Sequence, residues 1–292
     1  MSQKILITGT NSGFGRLASL ALARKGHTVF GTMRDIAGRN RASAEELRAI
    51  ASQEGLQLHV VEMELTSDES VNSGVKEILS RAGTLDVVVN NAGYSLLGVE
   101  ETLTSEQLLE QLDVNVVAPH RVMRAVLPTL RGRGKGLVIN ISSGLGRVVF
   151  PLMGAYAASK AALEALSDAY RYELKATGVD VTILQPGAHP TDFHSRLSVG
   201  KDAERAQGYG PFANGVEMMA GALRQMTDGP GAQDPQAVVK AILDLVEAPA
   251  GSRPSRVVVD VQTGHNVQHI NQAHDQIQKG LLSGMGMGQL AG

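Results

Sequence analysis

The chain has 292 residues, 43% of them hydrophobic and 19% charged, so a sizeable core is available and wholesale disorder is excluded. A formal net charge of −2 gives no basic excess for a nucleic-acid footprint, and the lack of cysteine excludes disulfides, thiolate chemistry and cysteine-ligated zinc. No stretch approaches the roughly 18 apolar residues of a membrane span, and glycines interrupt the first apolar run too early for a signal peptide. A soluble cytoplasmic protein with neither nucleic-acid nor membrane partners is expected.

In chain order, Lys4–Thr8 predicts a strand, Gly13–Lys25 a helix, Thr28–Met33 a strand, Ala44–Glu54 a helix and Leu58–Met63 a strand. Thr66, with Glu69 three residues on, reads as a capping box opening the next helix. Leu85–Asn90 predicts a fourth strand. Thr104 and Gln107 form a second capping box, opening a helix expected to run to about Leu127, where Pro128 ends it. Arg131, Arg133 and Lys135, separated by glycines, read as a solvated turn before the strand Leu137–Ile141. Ala155–Ala176 predicts a long helix and Val179–Leu184 a sixth strand. Asp234-Pro235 opens a helix to Ala248, and Arg256–Val261 is the last strand.

This alternation of helices with nearly continuous apolar strands predicts an α/β fold, a doubly wound and mostly seven-stranded parallel sheet with helices on both faces. One domain over residues 1–292 is expected. An irregular insertion at about 192–230 is a candidate lid, and a tail follows at about 265–292, its Gly- and Met-rich end from Ser283 expected to be mobile. The helix Ala155–Ala176 is apolar on more than one side, so one side is expected against the sheet and the other against a second copy, in a homodimer or homotetramer.

Chemistry concentrates at a few places. Thr8-Gly9-Thr10-Asn11-Ser12-Gly13-Phe14-Gly15 joins the first strand to the first helix. Glycines there let the backbone approach a pyrophosphate, and the helix N-terminus adds N–H groups and partial positive charge; a tight turn packing helix on strand is the plainer alternative. About 20 residues beyond such a loop, dinucleotide-binding folds place an acid for the ribose 2′-hydroxyl. Here Met33 and Arg34 stand instead, and a guanidinium pairs with a 2′-phosphate, unless Arg34 is an ordinary surface arginine. Tyr156 and Lys160 lie four apart on one helix face. A free phenol with a pKa of ~10 is a poor base at neutral pH, and an ammonium beside it favours phenolate. Ser143 follows the fifth strand thirteen residues before Tyr156, with Ser142 as its competitor, at the strand end where open α/β sheets place ligands. Tyr94, Leu96, Phe150, Phe193 and Phe212 are candidates for an apolar pocket.

With the TGxxxGxG loop, Asn90-Asn91-Ala92-Gly93, Asn115, Ser143, Tyr156-x-x-x-Lys160 and Pro186-Gly187-Ala188-His189-Pro190-Thr191 in order, the chain resembles the short-chain dehydrogenase/reductase family from about Lys4 to Thr191. It looks most like the branch acting on steroids, retinoids and other hydrophobic alcohols. The resemblance implies a Rossmann fold and hydride transfer between NADP(H), rather than NAD(H), and a small-molecule carbonyl or secondary alcohol. It implies a tetrad of Asn115, Ser143, Tyr156 and Lys160. Tyr156 is the general acid/base, Ser143 and Tyr156 meet the substrate oxygen, and Lys160 holds the ribose. Asn115 supports a local helix distortion and a water-mediated proton path. Implied cofactor contacts are Gly9, Thr10, Asn11, Ser12, Gly13, Phe14 and Gly15 in the loop; Arg34, Glu64 and Leu65 at the adenosine end; Asn91, Ala92 and Gly93 along the cleft; then Tyr156, Lys160, Pro186, Gly187 and Thr191. Glu64 is one methylene longer than the family's aspartate, which leaves its reach to adenine open. His189 and His194 are expected to be loop or substrate-rim residues, and no metal site is implied. A non-catalytic NADP(H)-binding sensor, or an epimerase or dehydratase with a recycled cofactor, are the competing readings. The complete tetrad weighs against the sensor, and the glycine spacing weighs against the epimerase or dehydratase.

Overall fold

The structure, a computed structural model, describes residues 2–195 and 197–290. The order is β1 (Lys4–Thr8), α1 (Gly13–Arg24), β2 (Thr28–Met33), α2 (Arg41–Gln53), β3 (Leu58–Glu62), α3 (Asp68–Ala82), β4 (Val87–Asn90), β5 (Leu96–Leu97) and α4 (Ser105–Leu112). A π-helical segment (Asp113–Val117) leads into α5 (Ala118–Gly132), β6 (Gly136–Ile141), α6 (Gly154–Leu174) and β7 (Val179–Pro186). Then come α7 (Asp192–Ser195), β8 (Ser198–Val199), α8 (Gly215–Asp228), α9 (Gln236–Glu247), β9 (Arg256–Val259) and α10 (Gly264–Gly284).

Seven strands form one parallel sheet in the order β3-β2-β1-β4-β6-β7-β9, and β5 pairs with β8 in a small parallel ribbon beside it. The winding reverses between β1, where Ile5 pairs with Val29, and β4, where Ile5 pairs with Val87. A cleft opens beyond the strand C-termini at such a reversal. Alternate residues of each strand feed opposite cores. Ile5, Ile7, Val87 and Val89 pack with α1, α2 and α9, while Leu6, Val88 and Val138 pack with α3 and α5. Coverage of both faces is why these strands read as unbroken apolar runs.

Several local expectations are corrected. Thr66 does not cap α3: its hydroxyl donates to Glu64 Oε1, and Ser67 is the cap, accepting from the Ser70 N–H at 3.2 Å. Thr104 and Gln107 do form their capping box. Pro128 lies inside α5 rather than ending it, because buried Leu127 and Leu130 on either side carry the helix through the missing hydrogen bond. Arg133 is not a solvated turn residue; its guanidinium donates to Leu85 O at 2.7 Å and Asp86 Oδ1 at 2.6 Å.

Most of the stretch expected as a tail is α10, docked by Val267, Asn271 and Leu282. Its anchors are largely polar, which hides it from hydrophobic periodicity. Asn271 Nδ2 donates to Gln185 Oε1 at 2.7 Å, and Asp275 pairs with Arg256 at 2.9 Å. Residues 291 and 292 of the expected mobile end lie outside those described. On α6, Ala158, Ala161, Ala165 and Leu166 are exposed, so this stripe is the apolar side that the sheet leaves uncovered.

Candidate active site

The glycine loop sits where β1 and β4 part. Gly9 has φ 72° and Gly13 φ 55°, left-handed conformations that glycine adopts without strain. A Cβ on Gly15 would overlap the Gly9 carbonyl and the Asn91 amide, and one on Gly13 would stand 3.6 Å from Thr191. The loop therefore leaves open the space that side chains would fill, opposite Thr191. Helix α1 begins there with no acidic residue in its first turn, so its positive end faces the cleft uncompensated. These are the requirements of a diphosphate seat. Asn91 buttresses it, donating to Thr8 O at 2.8 Å and Gly9 O at 3.1 Å.

A cleft of ≈ 980 Å³ runs from this loop across the strand ends. Of the expected cofactor contacts, Gly9, Asn11, Ser12, Gly13, Phe14, Arg34, Glu64, Leu65, Asn91, Ala92, Gly93, Tyr156, Lys160, Pro186, Gly187 and Thr191 line it. Thr10 and Gly15 instead stand behind the loop: the Thr10 hydroxyl donates to Thr32 O, and Gly15 O accepts from the Ser19 hydroxyl.

At one end, Arg34 Nη1 lies 3.8 Å from Glu64 Oε2. The other Glu64 oxygen accepts from the Thr66 backbone and hydroxyl, so Glu64 is tied into its own turn. Sequence reading missed Arg39 and Asn40 here, both cleft-lining. Asp35, at φ 47°, folds its carboxylate back onto the Arg39 N–H at 2.7 Å, and Asn40 Nδ2 donates to Arg34 O at 2.6 Å. This turn adds a second arginine, Arg39, to the lining of the same cleft as Arg34. The signal in the sequence was the Arg34-Asp35 pair followed by another arginine within a turn's length.

At the other end, Tyr156, Lys160 and Ser143 are buried. The Ser143 hydroxyl faces the Tyr156 phenol and favours its ionised form, while Ser142 turns the other way and donates to Glu164 Oε1 at 2.7 Å. The structure thus brings Ser143, not Ser142, to Tyr156. Lys160 Nζ stands 5.7 Å from the Tyr156 ring centroid and donates to Ile141 O at 2.8 Å. Asn115 lies in the π segment, with Nδ2 donating to Tyr94 O and Ser159 Oγ, both at 3.0 Å, and Oδ1 accepting from Tyr94 N–H. A Cβ on Gly93 would lie 3.1 Å from Asn115 Oδ1 and 3.6 Å from Lys160 Nζ. Glycine there lets the backbone pack closely against both groups.

The electrostatics depart from the sequence expectation. Burial pushes the Tyr156 phenol up to about 12, and only the Ser143 hydroxyl opposes it. Burial also draws the Lys160 ammonium down to about 8, against the pull of Glu164. Desolvation outweighs the neighbouring ammonium, whose Nζ is committed to a carbonyl. In the chain by itself the phenol stays protonated at neutral pH.

Behind Lys160, one turn further along α6, Glu164 anchors a buried ionic cluster. Its Oε2 lies 2.9 Å from Arg147 and 3.5 Å from Arg256, and Arg256 also pairs with Asp168 and Asp275. Gln185 donates to Glu164 Oε1 at 2.8 Å. Position 164 continues the four-residue spacing of Tyr156 and Lys160, but its partners are scattered from position 142 to 256.

His189 is loop structure rather than substrate rim: 1% exposed, with Nδ1 3.0 Å from Gly187 O and its ring edge against Phe14. The His194 side chain lies outside those described. Among the pocket candidates, Tyr94, Phe150 and Phe193 line the cleft. Leu96 is instead buried in β5, and Phe212 is 48% exposed and does not line the cleft.

A phenol, a hydroxyl and an ammonium sharing one cleft with a diphosphate seat place the protein among the oxidoreductases that use a nicotinamide dinucleotide. Residues 3–201 match the family model described as short chain dehydrogenase, and the chain belongs to that family. It is 33% identical over 199 residues, 68% of each chain, to a 3-ketodihydrosphingosine reductase of Bacteroides thetaiotaomicron. It is 35% identical over 200 residues, 68% of this chain and 65% of the other, to a 3-amino-tetrahydro-pyrrolizinone reductase of Xenorhabdus hominickii. Among solved structures, a short-chain dehydrogenase from Streptomyces avermitilis superposes with TM-score 0.75 at 29% identity, covering 97% of this chain and 96% of its own. An alcohol dehydrogenase of Thermococcus sibiricus, complexed with 5-hydroxy-NADP, superposes with TM-score 0.69 at 25% identity, covering 89% and 96%.

Proposed function

We propose that the protein is an NADP(H)-dependent carbonyl reductase, reversibly an alcohol dehydrogenase, with Tyr156 as its acid/base. The observation that carries this reading is the buried Tyr156 phenol, beside Ser143 and held protonated, in the same cleft as the glycine loop. The bound nicotinamide supplies the hydride in reduction and accepts it in oxidation. Ser143 and Tyr156 hold the substrate oxygen, and the Tyr156 hydroxyl gives its proton to that oxygen as it gains charge. Lys160 sits behind the phenol as the positive charge that steadies the phenolate left after transfer. Asn115 holds the π segment against Tyr94 and Ser159, close to Gly93 and Lys160, where it supports a route for proton resupply. Two relatives named as reductases favour reduction as the direction of use.

The choice of NADP(H) rests on Arg34 and Arg39, the two guanidiniums that line the adenosine end of the cleft, where Glu64 is the acidic side chain lining it. A charge-assisted hydrogen bond contributes about 1.5–3 kcal/mol, so Arg34→Ala should lower kcat/KM with NADPH roughly tenfold to a hundredfold. Its effect with NADH should be small, and Arg34→Ala/Arg39→Ala should abolish the preference. Equal losses with both cofactors would contradict the assignment.

The pH dependence follows from the same site. Reduction needs a protonated Tyr156, held to about 12, and a charged Lys160, which titrates at about 8. The kcat/KM for reduction should stay level through neutral pH and fall above about 8 as Lys160 loses its proton. In Lys160→Arg, which keeps its charge in this range, the fall near 8 should disappear and the level region should extend toward the Tyr156 limb, at a lower absolute rate. An unmoved limb would remove Lys160 from this role.

A further inference from the structure

We infer that the substrate of this site is a ketone or secondary alcohol carrying an extended aliphatic arm, laid along α8 in a cleft that α10 helps to wall; this rests on the function proposed above. The catalytic end of the cleft is walled by apolar side chains. Tyr156 packs with Met153 and Leu223 in one apolar cluster, and the Phe193 ring lies tilted against the phenol ring with centroids 5.9 Å apart. From there α8 presents Met219, Leu223 and Met226 to the cleft. These positions step by four and three residues, so they form one stripe on one helix face. Seven residues of helix rise span roughly 10 Å, the length of an alkyl chain rather than of a small polar metabolite. Two of the three are methionines, whose unbranched, polarizable side chains reshape around a flexible guest. Across the cleft, Val267 of α10 is 2% exposed and lies against Gly144, where an added Cβ would meet its methyl at 3.4 Å. Thus α10, itself tied down through Asn271 and Asp275, adds an apolar wall to the cleft beside Gly144. Among the described residues, the Lys and Arg side chains lining the cleft are Arg34, Arg39 and Lys160, the first two at the adenosine end and the third in the catalytic cluster. The α8 stripe therefore carries apolar surface with no cation to hold a phosphate or carboxylate handle.

The test is steady-state reduction, with NADPH, of methyl ketones from butanone to dodecanone and of polyhydroxylated ketones of matched carbon number. Calorimetric titration of the NADPH-loaded protein with the same compounds accompanies it. Burial of each methylene should raise kcat/KM up to roughly fourfold, continuing until the chain overruns Met226. The polyhydroxylated ketones should fall at least about a hundredfold below their matched methyl ketones. Met226→Trp should make the rise level off at a shorter chain. A flat series, or a preference for the polyhydroxylated ketones, overturns the inference. If no compound is turned over yet affinity still climbs with chain length, the reductase reading fails and the alkyl site stands. If neither rate nor affinity responds, both are overturned.

Discussion

Tyr156→Phe should lower kcat for carbonyl reduction by roughly a thousandfold while leaving NADPH affinity within a factor of a few. The substitution removes one oxygen and keeps the ring, so its packing with Met153, Leu223 and Phe193 survives. The lost hydroxyl is the only part of the side chain positioned to give up a proton, and its one named polar partner is Ser143. The variant should therefore melt close to the parent temperature, and Ser143 should be left with its acceptance from the Leu145 N–H at 3.2 Å. Single-turnover kinetics of NADPH oxidation, with cofactor binding measured separately, make the comparison. Near-normal turnover in Tyr156→Phe would show that another group moves the proton. Loss of cofactor binding along with the rate would make Tyr156 a binding residue instead of an acid.

The largest expected effect on stability lies at Arg256. Its side chain is 3% exposed and pairs with Asp168, Asp275 and Glu164. Arg256→Met keeps much of the volume but removes the charge. It leaves Glu164, 2% exposed, with Arg147 as its remaining cation in the cluster, and Asp168 without its guanidinium. Breaking a buried pair by deleting one partner costs about 3–5 kcal/mol, read as a lower denaturant midpoint at unchanged slope. Because Asp275 belongs to α10, the same change should loosen that helix. Limited proteolysis should then cut between Gly264 and Gly284 earlier than in the parent. A midpoint within experimental scatter of the parent would mean that the cluster is offset by its own desolvation and contributes specificity rather than stability.

Reading the chain without coordinates recovers most of what is local. The doubly wound sheet was legible because each strand is covered on both faces and so carries an unbroken apolar run, as in Ile5-Leu6-Ile7 and Val87-Val88-Val89. The placing of Ser143 and the face shared by Tyr156 and Lys160 were legible because backbone spacing sets them directly. What failed depended on distant partners. Pro128 is a helix stop by local rules, overridden by buried leucines on both sides. Helix α10 has a weak apolar stripe, and its anchors Gln185 and Arg256 lie in other strands. The rise in the Tyr156 pKa was illegible for the same reason, since helical spacing reveals the nearby ammonium but not the water removed around the phenol.

The sequence by itself determined the order of strands and helices, the glycine loop and the helical face that Tyr156 shares with Lys160. Each is encoded in residue type and short-range spacing, which act through backbone geometry and do not wait for long-range contacts. Only the tertiary structure decided the second arginine's arrival in the cleft that Arg34 lines, the ionic cluster behind Lys160 and the apolar wall of α8 and α10. Burial and pairing there are properties of segments far apart in the chain, and desolvation acts only once those segments have met.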